Sequence, residues 1–210
     1  MVGKAIVNAR EEILRRLGDA PADAAAYAAL PRPYLRRHHD GDVVALFAER
    51  AADYRAEVRR IAAADLPGVL GELRGRYVAP DGLPEAWTAE VDVVRDDPPV
   101  SVAELDALDG VITGCAAAIA ETGTVVLDHG PGQGRRALTL VPDHHVVVVE
   151  AARISADVPE AIEGLSPERP LTFISGPSAT SDIELSRVEG VHGPRRLTIV
   201  ITDAPQEQSR

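Results

Sequence analysis

The 210 residues are 45% hydrophobic and 26% charged, which supplies a full core and leaves no bias toward disorder, collagen or a coiled fibre. Against 22 Lys and Arg stand 33 Asp and Glu, and the net charge of −11 repels phosphate backbones and anionic lipid, which sets nucleic acid and membrane surfaces aside as partners. One lysine, Lys4, and one cysteine, Cys115, exclude lysine-based Schiff-base or P-loop chemistry in the body, an internal disulfide, and the several thiolates that an iron–sulfur cluster or a cysteine-held structural zinc needs.

In residues 2–17, Ile6, Ile13, Leu14 and Leu17 alternate with arginines and glutamates, which predicts an amphipathic helix ending at Gly18. Pro21, Pro31 and Pro33 interrupt the chain, and His38 and His39 fall in the following connector, where solvated histidines are expected. Asp40 or Asp42 can cap a helix over 43–64 that buries Val44, Phe47, Ala51, Tyr54, Val58 and Ile61. Residues 1–60 carry 11 basic and 9 acidic groups, so a mildly basic arm precedes an acidic body. The arm is expected to be a helical extension over 1–64, and the body an α/β domain over 65–210. No uncharged apolar stretch reaches the length of a membrane span, and the expected location is the cytoplasm.

In the body, Tyr77-Val-Ala and Val91-Asp-Val-Val read as strands, and Ser101-Val-Ala-Glu104 as a capping box for a short helix closed at Gly110. Residues 110–120, 123–128, 136–141 and 145–150 are expected to form successive hairpin strands. Residues 171–175, a loop over 176–180, a helix from Ser181 and a strand over 196–202 read as a βαβ crossover.

Four places can carry chemistry. The small-residue loop Gly176, Ser178, Thr180, Ser181 and Asp182, placed between a strand and a helix start, can present backbone N–H groups to an anion, although Ser181-Asp-Ile-Glu184 serves equally as a cap. The loop over 128–136 brings Gly132 and Gly134 to Arg135 and Arg136, whose guanidinium groups suit a carboxylate or phosphate. If a strand has begun there, one arginine reaches the site and the other solvent. The turn Glu121-Thr122-Gly123 offers a general base and a hydroxyl anchor, and His192 an acid or base between helix and strand. Cys115 and Trp87 read as core residues. No nucleophile elbow appears, and His144-His145 is no metal pair because adjacent side chains in a strand diverge.

Residues 113–127, Leu140-Val-Pro-Asp-His-His-Val146, Ile174-Ser-Gly-Pro-Ser-Ala-Thr-Ser-Asp-Ile-Glu184 and Gly190-Val-His-Gly-Pro194 resemble the LUD-domain family, with motif-level likeness over 110–202. The resemblance implies an open Rossmann-like sheet of the ribose-phosphate isomerase, CoA-transferase and formyltetrahydrofolate cyclo-ligase type, with a hairpin-rich insertion. It further implies work beside two companion iron–sulfur proteins that oxidise L-lactate to pyruvate, with no cofactor on this chain and the clusters in the companions. The alternatives are a self-sufficient isomerase or CoA-transferase-like enzyme using Glu121 as base, and a regulatory module binding a small anionic ligand.

Overall fold

Short β-branched runs in the body can bury both faces only in a parallel sheet covered on either side, and that is what the computed structural model shows. It describes residues 8–18, 24–32, 34, 38–180, 188–189 and 193–203. The chain divides into two units, Met1–Leu35 and Arg36–Arg210.

In the first unit, α1 (Ala9–Leu17) is capped by Asn8, whose side chain accepts from the Arg10 amide, and α2 spans Ala24–Ala28. The predicted amphipathic pattern is present, with Ile13, Leu14 and Leu17 all more than half exposed.

The second unit begins its regular structure with α3 (Val43–Asp53), where Asp42 Oδ1 accepts from the amides of Val44 and Ala45. Phe47 and Ala51 are fully buried on it. The helix expected to run to 64 stops here. Arg55 takes a left-handed φ of 69°, and β1 (Glu57–Ile61) follows. Val58 and Ile61 therefore face the core from a strand. Next come α4 (Leu66–Gly71), β2 (Tyr77–Ala79), β3 (Val93–Arg95) and α5 (Val102–Asp106), the last closed by the expected capping box between Ser101 and Glu104. Then follow β4 (Gly110–Thr113), β5 (Ala117–Ile119), β6 (Thr124–Leu127), β7 (His144–Glu150), β8 (Ile154–Ser155), α6 (Val158–Glu163), β9 (Thr172–Ile174), β10 (Ala179–Thr180), β11 (Val188–Glu189) and β12 (Arg196–Thr202).

The central sheet has six strands in the order β1-β12-β7-β4-β2-β3, every neighbouring pair parallel. Its side chains alternate. Val147, Val149, Ile199 and Ile201 pack against α3 and the second sheet, whereas Ile112, Val146, Val148 and Val200 pack against α4 through Leu66 and Leu70. Each such side chain, fully buried, contributes about 2 kcal/mol. A second sheet, β8-β5-β6-β9, lies on the α3 side.

On the α4 side a polar line crosses the strands. Tyr77 Oη meets His144 Nδ1 at 2.9 Å, His144 Nε2 meets Thr198 Oγ1 at 2.9 Å, and Thr198 Oγ1 donates to Glu57 Oε2 at 3.2 Å. His144 and His145 do diverge to opposite faces, the latter bonding Thr113 Oγ1 at 2.8 Å.

Several sequence expectations change. The run over 110–120 is two strands in two sheets, because Gly114 turns the chain out of the central sheet and donates to Gly132 O at 2.8 Å. Only β5 and β6 form a hairpin of the expected kind. Residues 136–139 form a 3-10 turn that buries Leu138, and β7 lies parallel between β4 and β12. The βαβ crossover over 171–202 is absent, since β9 pairs antiparallel with β6 in the second sheet while β12 belongs to the first. Residues 181–187, where the helix was expected, lie outside the described residues, and the segments flanking them, β10 and β11, pair antiparallel. Among the described residues no helix is long and apolar enough to cross a membrane.

Candidate functional site

The site candidates from the sequence divide between two surfaces. One is a cleft of about 270 Å³ between β9 with the loop after it and the amino ends of β7 and β12. Arg136, Thr172, Ser175, Gly176 and Ser178 line it, and His145 and Leu197 come from the central sheet. The structure thus brings together three residues that were expected in two separate loops.

Arg136 owes its direction to the 3-10 turn, which replaces the strand expected there. Its Nη1 donates to Thr172 Oγ1 at 2.9 Å, the same oxygen that meets His129 Nε2 at 2.9 Å. Among the described residues no carboxylate pairs with it. Ser175 Oγ lies 2.7 Å from Thr124 Oγ1, which lies 2.7 Å from Thr122 Oγ1, so a chain of hydroxyls runs from the cleft wall toward the 121–123 turn. The Ser178 amide donates to Pro194 O at 2.8 Å, holding the loop against the start of β12. Burial pushes the His145 imidazole down to about 3, so at neutral pH it is an uncharged wall and no acid. The cleft therefore offers one guanidinium, hydroxyls and an apolar rim at Leu140 and Phe173, a combination that suits a small carboxylate with a hydroxyl or keto group.

Other expected residues are tied into the fold. Arg135 donates through Nε and Nη2 to both oxygens of Asp96, at 2.8 and 2.9 Å, and through Nη2 to the Val100 carbonyl. Burial opposes ionisation of Asp96, but the Arg135 guanidinium and the Val100 amide outweigh it and hold the carboxyl below its usual range. The glycine loop is closed on itself: Asp128 accepts from the Gly130 amide, Gln133 Nε2 and Arg169 Nη1. A Cβ on Gly134, with φ at 71°, would stand 2.6 Å from Leu138 Cδ1 and 2.7 Å from Pro80 Cβ. One on Gly176, with φ at 86°, would meet the Tyr54 carbonyl at 2.5 Å. Both glycines serve close packing of protein against protein.

Glu121 is outside the cleft. Its turn closes through the Gly123 amide, which donates to Ala120 O at 3.3 Å, and its carboxylate faces His38. Thr180 lies on β10. His192, Ser181 and Asp182 lie outside the described residues.

A second crevice, about 190 Å³, opens where the strand order reverses, at the carboxyl ends of β2 and β4. Gly114, Cys115, Gly132, Gln133, Glu150 and Arg153 line it. Its charges are already engaged, Arg153 Nε lying 3.1 Å from Glu150 Oε2, and burial pushes the Cys115 thiol up to about 12, which removes it as a nucleophile.

Comparison with known proteins agrees with this architecture. Residues 86–202 match the LUD domain. A protein from Deinococcus radiodurans named lactate utilization protein C is 46% identical over 201 residues, covering 92% of this chain and 95% of its own. A protein of the same name from Geobacillus kaustophilus is 36% identical over 135 residues, covering 58% of this chain and 55% of its own. The crystal structure of a DUF162 family protein from Deinococcus radiodurans is 43% identical with a TM-score of 0.68, covering 81% of this chain and 99% of that one.

Proposed function

Because the chain belongs to the LUD-domain family, we propose that it serves L-lactate utilisation as a cluster-free subunit that holds a small carboxylate in the cleft beside Arg136. Its expected ligands are L-lactate or pyruvate, whose carboxylate pairs with the guanidinium while the hydroxyl or keto oxygen meets Thr172 or Ser175. The observation that carries this reading is Arg136, aimed into the cleft with a single hydroxyl partner among the described residues. A guanidinium matches a carboxylate in two-point geometry and gains most from the pair where water is partly excluded.

In this reading electron transfer from lactate belongs to companion iron–sulfur proteins in the cytoplasm; the one buried cysteine, too few for the thiolates of a cluster, supports that division of labour. Likeness to the ribose-phosphate isomerase and CoA-transferase group, supported by the parallel sheet with a hairpin-bearing insertion, concerns the scaffold alone.

The test is lactate-dependent reduction of an artificial electron acceptor by this chain, by its two companions, and by all three together. Activity restricted to the full mixture, lowered by Arg136→Ala, is the expected result. Full activity of the companions alone would refute the subunit role and favour a separate enzyme or a regulator.

A further inference from the structure

His38, from the connector before α3, stands where two carboxylates from distant parts of the chain converge. Its Nδ1 is 3.5 Å from Glu121 Oε1 and 3.6 Å from Asp157 Oδ1. One donor atom from each of the three residues lies within 4.8 Å of the others. The two acids are brought together by the β5–β8 ladder, which continues past the strands as Ala120 N to Ser155 O at 2.9 Å and Glu121 N to Ala156 O at 3.0 Å.

Asp157 gives the cluster its meaning. Its side chain is fully buried, Oδ2 accepts from the His38 amide at 2.6 Å, and Oδ1 has no hydrogen-bond partner among the described residues. An aspartate at the N-cap of a helix ordinarily accepts from the first-turn amides, but Asp157 makes no such bond to α6, and Glu160 reaches back to the Ala156 amide instead. The oxygen left over faces the imidazole. A buried carboxylate oxygen without a partner is costly, and 3.5–3.6 Å is too long for a direct charge-assisted hydrogen bond to His38. Those separations do match the edge, about 3.4 Å, of a tetrahedron whose corners lie about 2.0–2.1 Å from a zinc ion.

We infer that His38 Nδ1, Glu121 Oε1 and Asp157 Oδ1 form a binding site for a divalent transition cation, zinc foremost. Two carboxylates balance the charge of the ion, and the nitrogen–oxygen donor set suits zinc, cobalt or manganese rather than a thiophilic metal. His39 Nε2, 3.9 Å from Asp157 Oδ1, or water takes the fourth position. His38 and Glu121 are 37% and 32% exposed, which leaves a path for the ion to enter. No residue of the site lines the Arg136 cleft, so the inference stands apart from the lactate reading.

The test is titration of Zn²⁺ into the chelator-treated full chain by calorimetry, with Co²⁺ absorption reporting coordination geometry. One equivalent is expected, with tetrahedral cobalt bands. His38→Ala and Glu121→Gln, both at the surface and checked for folding by circular dichroism, should each weaken binding about tenfold or more. Absence of saturable uptake, or uptake unchanged in both variants, would overturn the site.

Discussion

Arg135 and Arg136 are neighbours in sequence, yet they belong to regions with opposite logic. Around Arg135, each charged group is committed to another: Asp96 to the guanidinium, Asp128 to Gln133, Gly130 and Arg169. Around Arg136 the guanidinium meets one threonine hydroxyl and an open cleft. A glycine-rich loop with two arginines is thus half scaffold and half site. Among the described residues, what separates the halves is whether a partner carboxylate sits within reach.

The contrast can be broken first at Arg135. Arg135→Ala leaves Asp96, whose side chain is 8% exposed, without its bidentate partner, and should cost about 3 kcal/mol by denaturant unfolding, the low end for a broken buried pair because Arg135 is itself 36% exposed. Its acid limb should also flatten. The folded-state pKa of Asp96 lies below the unfolded value, so the pair stabilises above that value and the contribution vanishes as pH falls through the folded one. Next comes Gly134→Ala, where a positive φ and contacts with Leu138 and Pro80 should cost about 2 kcal/mol without change in the cleft.

Acidification is the third probe, and it acts on both faces of β7, at His145 beside the cleft and at His144 opposite it. Burial pushes His145 to about 3 and His144 to about 4, both below the unfolded value of 6.5. Stability from each is therefore complete above 6.5 and drains away as pH falls below it, by about 1.4 kcal/mol per histidine at one unit below. His145→Gln should halve that slope in urea titrations at several pH values. The smallest effect on stability belongs to Arg136→Ala, within about 0.5 kcal/mol. The same variant should weaken pyruvate binding about tenfold or more, read by calorimetry, and equal affinity in the two proteins would remove Arg136 from the site.

Much of the body was legible in the sequence because its strands are short apolar runs bounded by Gly, Pro or Asp, as at Tyr77 to Ala79 and His144 to Glu150. The capping box at Ser101 and Glu104 is a local hydrogen-bonded unit and needs no tertiary context. Misreadings arose where long-range packing overrides local pattern. Val58 and Ile61 continue the helical spacing of α3, but Arg55 turns the chain and an edge position beside β12 claims them. Residues 136–141 alternate like a strand, yet Leu138 is drawn into the core with Val78 and Leu105. For the site, Arg136, Gly176 and Ser178 were visible as residue types, whereas Thr172 and Ser175 become partners only through the β6–β9 pairing. The convergence of His38, Glu121 and Asp157 has no sequence spacing to reveal it, since the ligands come from a connector, a hairpin turn and a helix start.

The polar line from Tyr77 through His144 and Thr198 to Glu57 has a direction. A carboxylate only accepts, so the Thr198 hydroxyl hydrogen points at Glu57, which obliges Thr198 to accept from His144 and places the imidazole hydrogen on Nε2. Nδ1 then has a lone pair to offer, and Tyr77 must supply the hydrogen. One acid at the edge strand thereby selects a single tautomer two strands away and orients every O–H and N–H dipole between them, an ordering that nitrogen chemical shifts of His144 would report and that Glu57→Gln would release.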